Sequence, residues 1–318
     1  MDDSSDSHED VDDHMIVYSK KKIWVTLGIA TSVVLILLSV SGNIDKVIHH
    51  NQKNDRFGIS EIYPTKIGGR EWYVNMNNPK EDRSFYTSSN ISLARQSDGS
   101  WQVTNPQGRL NVITLPGQED WRDLEMTGYV KVFSIITTNS SNQRGNMTYV
   151  EVDSEDKHLS PEIDWRARGG RHSTQVPCEG TSLNGVLHPG GVADWKKEIW
   201  HTGGYTDSRG TTKATDSPII GRWIGWKVVM YNNGGENNKF VTMESYIDDQ
   251  DNNQWRKVNE VIDSGGWYAN TPDKVFYSAD SGRPKDYIIT NSGPIATFRS
   301  DNIVWNFKYL SIREINPL

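Results

Sequence analysis

Residues 222–231 read Arg-Trp-Ile-Gly-Trp-Lys-Val-Val-Met-Tyr, residues 240–249 read Phe-Val-Thr-Met-Glu-Ser-Tyr-Ile-Asp-Asp, and residues 255–258 read Trp-Arg-Lys-Val, with Asp-Ser-Gly-Gly-Trp following at 263–267. Between the first two runs lies Asn232-Asn233-Gly234-Gly235, and an Asp/Asn-rich segment follows the second. Aromatic and β-branched residues fit a pleated, half-buried surface, while Gly and Asn supply the positive φ that tight hairpin turns require. The stretch therefore predicts a meander of consecutive antiparallel strands.

The same pattern recurs on both sides of it. Strands are expected at 100–104, 124–136, 146–152, 163–168, 195–201, 223–231, 240–247, 287–290 and 303–312, with turns at Asp98-Gly99, Asn105-Pro106 and Ser264-Gly265-Gly266. Beyond residue 57 no amphipathic stretch supports a helix of more than about two turns. No fixed-period repeat is present, which argues against a propeller or solenoid. The meander, a strand ending in Tyr246-Ile247-Asp248 and the final run 301–315 resemble the central hairpins and closing strand of the concanavalin A-like lectin and glucanase superfamily. That resemblance, over roughly a third of the domain, implies an antiparallel jelly-roll sandwich; it speaks to fold before function.

At the other end of the chain, Ile23 to Gly42 carries no charge. A helix of about 20 apolar residues spans the hydrocarbon layer, and Lys20, Lys21 and Lys22 place the N-terminal flank in the cytoplasm. The expected organisation is an all-β jelly-roll sandwich preceded by one transmembrane helix. It comprises a disordered acidic tail at 1–22, the span at 23–42, a stalk at 43–56 and an extracellular domain at 57–318, as a single-pass type II protein of the cell membrane. A cleaved secretory leader is the competing reading, since Ser39-Val40-Ser41 fits a small-x-small site.

The chain has a net charge of −7, of which seven acidic residues in the tail and the three lysines supply −4, leaving −3 from Ile23 onward. A nearly neutral domain lacks the basic field that recruits phosphates, so nucleic acid is not an expected partner. Cys178 is the single cysteine, which excludes an intrachain disulfide. Acceptor triplets for N-glycosylation begin at Asn90, Asn139 and Asn146.

Chemistry-bearing side chains concentrate between 164 and 205. Asp164-Trp165-Arg166-Ala167-Arg168-Gly169-Gly170 is expected to set Arg166 and Arg168 on one side of a strand. His188 follows, and then Trp195-Lys196-Lys197-Glu198-Ile199-Trp200-His201-Thr202-Gly203-Gly204-Tyr205. Arginine to neutralise a carboxylate, histidine to remove a proton and tyrosine to protonate a leaving oxygen are what β-elimination on a uronate polymer needs. The segment His201-Thr202-Gly203-Gly204-Tyr205 is similar, at its Gly and Tyr, to one motif of the alginate lyase type of jelly-roll polysaccharide lyase. Val186-Leu187-His188 stands where that family has Gln-Ile-His, and the Glu-Leu between its arginines is absent. The resemblance implies His188, His201, Tyr205 and Arg168 as catalytic candidates. Arg166, Glu198, Lys197, Trp195 and Trp200 are expected to bind substrate, with Trp165 and Trp267 as further stacking surfaces.

The laminarinase-like signature Glu-x-Asp-x-x-Glu is not found, and Asp123 with Glu125 reads as a charge cluster near Arg122. Asp249-x-Asp251-x-Asn253 has EF-hand-like spacing, but Gln254 stands where Gly is required and a hairpin turn explains it better. No cofactor or metal site is assigned, although calcium at another loop stays open. Three functions are carried forward: polysaccharide or glycan binding, cleavage of an acidic polymer by a lyase or hydrolase, and an envelope adhesion or structural role.

Overall fold

The computed structural model describes residues 53–88, 91–136, 160–170, 180–199, 204–235, 239–268 and 283–317. The acidic tail, the span at 23–42, the stalk up to residue 52, the strand expected at 146–152, Cys178, Trp200, His201 and the three glycosylation asparagines lie outside them. Within the described residues no helix is long and apolar enough to cross a membrane, and the only helical element is a 3-10 turn at Pro79–Glu81.

Strands follow in the order β1 (Glu71–Tyr73), β2 (Phe85–Thr87), β3 (Ser92–Arg95), β4 (Trp101–Thr104), β5 (Gln107–Ile113), β6 (Leu124–Ile135), β7 (Glu162–Gly169) and β8 (Thr181–Leu187). The series continues through β9 (Val192–Ile199), β10 (Gly204–Tyr205), β11 (Arg209–Lys213), β12 (Ile224–Asn233), β13 (Phe240–Asp248), β14 (Arg256–Asp263), β15 (Ile295–Asp301) and β16 (Ile303–Glu314). They form two eight-stranded antiparallel sheets, a sandwich. The first runs β14-β13-β12-β6-β16-β4-β3 with β1 also on β16; the second runs β10-β9-β8-β7-β15-β5-β2 with β11 also on β9. The expected meander is present as β12, β13 and β14. The β-rich run at 287–290 forms no strand.

Period-two alternation sends one side of each strand inward. Trp165, Trp195, Trp226, Trp305, Phe298 and Phe307 fill the space between the sheets. Two glycines let the sheets approach. A Cβ on Gly185 would lie 2.4 Å from Val228 Cγ1 of the other sheet, and one on Gly128 would lie 3.2 Å from Trp165 Cη2 of the other sheet.

Residues 53–66 lie over the outer face of the first sheet. The Ile62 amide donates to Glu125 Oε2 (3.0 Å), Tyr63 Oη donates to Glu244 (3.1 Å) and the Ser60 amide donates to Asn253 Oδ1 (2.9 Å). Beneath them Glu125 takes Lys227 at 2.7 Å and Arg313 at 2.8 Å, all three side chains being buried. The compact unit thus begins at Lys53, within the segment expected as a stalk.

Candidate functional site

Among the described residues no separate segment is hydrogen-bonded across the outer face of the second sheet in this way, although its central side chains Asp164, Asn184, Glu198 and Asp301 are buried. Strand parity puts Glu162, Asp164 and Arg166 of β7 outward, because Ile163, Trp165 and Ala167 join the core. The register then aligns neighbours: Arg166 with Asn184 and Thr297, Asp164 with Asp194 through Val186 and with Arg299, Glu162 with Asp301, and Glu198 with Ser182 and Tyr205. On β5 the same row continues as Asn111 opposite Thr297 and Arg109 opposite Arg299. At its edge Tyr86 of β2 pairs with Asn111.

These side chains hold one another in a network. Arg166 donates to Glu198 (2.5 Å), Asn184 Nδ2 to Asp164 Oδ2 (3.1 Å), Lys196 Nζ to Glu162 (2.9 Å) and Thr297 Oγ1 to Asn111 Oδ1 (2.9 Å). Arg299 reaches Asp301 at 2.7 Å and Asp164 at 3.4 Å, and donates to the Tyr205 hydroxyl at 2.8 Å. His188 sits at the end of the row, 3.0 Å from Asp194. A cavity of about 460 Å³ opens among Tyr86, Arg109, Asn111, Arg166, Ser182 and Thr297.

Carboxylates crowd the floor of this face. One oxygen from each of Glu162, Asp164 and Asp301 lies within 4.8 Å of the others. Burial, reinforced by the charges of Glu162 and Asp301 and opposed by Arg299 and Arg166, pushes Asp164 up to about 6. Burial likewise raises Asp301. Tyr205 is pushed up to about 12 by burial and by Glu198. Three carboxylates at this spacing have the donor set for a hard cation, but Lys196 and Arg299 already occupy oxygens of all three.

Of the residues expected from sequence, Arg166, Glu198, Tyr205 and His188 come to this one face. Five others do not. Trp195 and Lys197 share β9 with Glu198 but have the inward parity and are fully buried. Lys197 Nζ pairs with Asp263 at 2.8 Å, donates to the Tyr287 carbonyl at 2.9 Å and sits 5.3 Å from the Trp267 ring centre. Burial lowers its pKa.

Arg168 follows a bulge, where the β7–β15 register shifts and its φ is +64°. The parity with Arg166 is broken there, and the buried guanidinium bonds the Arg122 and Ile289 carbonyls, Asn232 and Asp123. It pins loops rather than substrate. Trp165 and Trp267, expected as stacking surfaces, are core residues at 0% and 3% exposure. The 249–253 segment is a turn: Asp248 accepts from the amides of Gln250, Asn252 and Asn253, Asp249 pairs with Arg222 and Asp251 with Lys308.

Sequence reasoning missed Tyr86, Arg109, Asn111, Glu162, Asp164, Thr297, Arg299 and Asp301 as groove residues. A signal existed for two of them: Glu162-Ile163-Asp164 has the first two carboxylates of Glu-x-Asp-x-x-Glu, and Ala167 stands where the third would be. Asp301, opposite Glu162, supplies a third carboxylate from another strand. Thr297, Arg299 and Asp301 alternate with apolar or small residues in a pattern that reads as a half-exposed strand.

The described residues form a two-sheet antiparallel β-sandwich with a polar outer face on the second sheet. Among solved structures, the chain is similar to a protein of unknown function with a galectin-like fold from Bacillus subtilis (TM-score 0.41, 6% identity, covering 78% of this chain and 100% of that one). It is also similar to the binding domain of botulinum neurotoxin serotype D (0.34, 9%, 74% and 44%) and to a candidate glycosyl hydrolase from Parabacteroides distasonis (0.31, 13%, 73% and 79%). No protein-family model matches the chain, and no curated protein matches its sequence.

Proposed function

We propose that the folded unit is a polysaccharide-binding domain whose ligand lies along the outer face of the second sheet. The observation that carries this reading is the Tyr86 ring, 43% exposed, beside a cavity walled by amide, hydroxyl and guanidinium groups. A sugar ring offers an apolar face to an aromatic side chain and a rim of hydroxyls to planar donors. A glycan array followed by thermal shift tests it: saccharides that bind should raise the Tm of the wild-type chain. Tyr86→Ala should weaken binding about 10-fold, the scale of one aromatic stack. If no saccharide shifts the Tm, the reading is wrong.

Cleavage of the bound polymer is a second reading, favoured by Asp164, a carboxyl held at about 6 and linked through Arg299 to the Tyr205 hydroxyl. Groups that carry a proton near neutrality suit acid–base chemistry. A lyase would release unsaturated ends absorbing in the ultraviolet, a hydrolase reducing ends, and an adhesion or structural protein neither. Neither reading includes a cofactor; a loop-bound calcium would show as a Tm lowered by chelator. Tethering through 23–42, with the sandwich outside the cell, belongs to the same proposal and rests on the charge pattern of the sequence. Protease added to intact cells should then remove the sandwich and spare the tail.

A further inference from the structure

Among the described residues three arginines reach the outer face of the second sheet, and they differ in what they hold. Arg166 is committed to Glu198, and Arg299 to Asp301, Asp164 and the Tyr205 hydroxyl. The Arg109 side chain lines the cavity, and its guanidinium makes no hydrogen bond or ion pair among the described residues. Asp301, the carboxylate that attracts it, is already held by Arg299. Burial, with repulsion from Arg166 and Arg299, pulls Arg109 below the ordinary guanidinium value. A partly desolvated cation without a counterion is costly, and like charges beside it add to the cost. An anion entering the cavity would remove that cost.

Resting on the reading of this face as a glycan site, we propose that Arg109 receives the carboxylate of a uronic acid unit, making the ligand a uronate-containing polysaccharide. The guanidinium fork matches a planar carboxylate through two parallel N–H bonds. Its surroundings fit the rest of the sugar. Tyr86 pairs with Asn111, two residues along β5 from Arg109 on the same face, and offers a ring for the pyranose face. Thr297 Oγ1 satisfies the Asn111 carbonyl, which leaves the Asn111 amide nitrogen to donate to a ring or hydroxyl oxygen. The arginines that the sequence offered for this task, Arg166 and Arg168, are both spent on protein oxygens. The carboxylate-reading residue is therefore on β5, outside the segment where the lyase-like motifs cluster.

The test uses the full-length chain in detergent and isothermal titration with three probes: oligogalacturonate, its methyl ester and a sulfated neutral oligosaccharide. The acid form should bind and the ester should bind at least about 10-fold more weakly, since a charged hydrogen-bonded pair is lost. Arg109→Gln should lower affinity for the acid form about 10- to 100-fold while leaving affinity for the ester unchanged, and Arg109→Lys should recover part of it. Arg95→Gln, an exposed arginine of β3 on the other sheet, should change nothing. Equal binding of acid and ester, or an Arg109→Gln chain that binds the acid normally, overturns the carboxylate assignment while glycan binding stands. Binding of the sulfated probe alone also overturns it. If no saccharide binds, both the assignment and the glycan reading fall.

Discussion

The two outer faces of the sandwich are built from the same materials and finished differently. Each presents charged side chains at the outward positions of long central strands. On the first sheet residues 53–66 close over them, and the buried carboxylate at the centre, Glu125, has two cations, Lys227 and Arg313, within 2.8 Å. On the second sheet no such segment is tied down among the described residues, three buried carboxylates share a few ångströms, and the Arg109 guanidinium has no hydrogen bond or ion pair among the described residues. The comparison separates charges arranged for cohesion from charges arranged to meet something else. A sealed network satisfies its members internally, whereas an open one keeps a surplus of one sign at a defined place.

The largest expected effect lies on the sealed face. Lys227→Met keeps the volume but removes one of the two cations on Glu125, which is fully buried. Leaving a buried charge short of its partner costs roughly 3 kcal/mol, the low end of the usual range because Arg313 remains. Urea denaturation should show that loss. A loss below about 1 kcal/mol would mean that water reaches Glu125 and the face is not sealed.

The next effect is a pH dependence of opposite sign on the two faces. Lys227 and Arg313 overcome the burial of Glu125 and hold it down from 4.5 to about 2. Its contribution is present above the unfolded value and is lost as pH falls from 4.5 toward 2, on the order of 3 kcal/mol in all. Asp164 is raised from 3.8 to about 6. The folded state therefore binds its proton more tightly, stability is greatest below 3.8, and about 2–3 kcal/mol is lost as pH rises from 3.8 through 6. Asp164→Asn should flatten the stability profile between these values and raise stability at pH 7. Glu125→Gln should flatten the acid limb below 4.5. An Asp164→Asn profile that keeps the wild-type slope between 4 and 6 would break the contrast between the faces.

How much of this was legible beforehand follows from how local each signal is. The β12–β13–β14 meander is written in consecutive residues, alternation plus Asn-Gly turns, and it was readable. Strand β8 was not, because Asn184-Gly185 imitates a hairpin turn; Gly185 is there because Val228 and Trp195 press on the position where a Cβ would stand. The groove is less local still. Arg166, Glu198 and Tyr205 were found because they fall within one segment, but Arg109 and Arg299 join them only through the β5–β15–β7 pairing, which brings together residues far apart in sequence. Lys197 was misplaced by a sound general rule: lysine is almost never fully buried unless paired, and Asp263, 66 residues on, is the pair. The parity break at Arg168 depends on a left-handed residue that no side-chain pattern announces.

The smallest effect on stability sharpens the comparison most directly. On the sealed face every cation removed should destabilise, so a cation whose removal stabilises marks the other kind of surface. Arg109 is half-buried beside Arg166 and Arg299 with no partner among the described residues, and Arg109→Gln relieves both its desolvation and that repulsion while keeping an amide that can donate. The unliganded variant should be more stable than the wild type by up to about 1 kcal/mol, a gain typical of surfaces where binding has been favoured over stability. Differential scanning calorimetry without saccharide reads it as a Tm rise of about 2–4 °C. Saturating oligogalacturonate should reverse the order, because only the wild type gains from the ligand's carboxylate. A Tm that falls on removing Arg109, with no saccharide present, would place that residue among the cohesive charges and erase the distinction between the two faces.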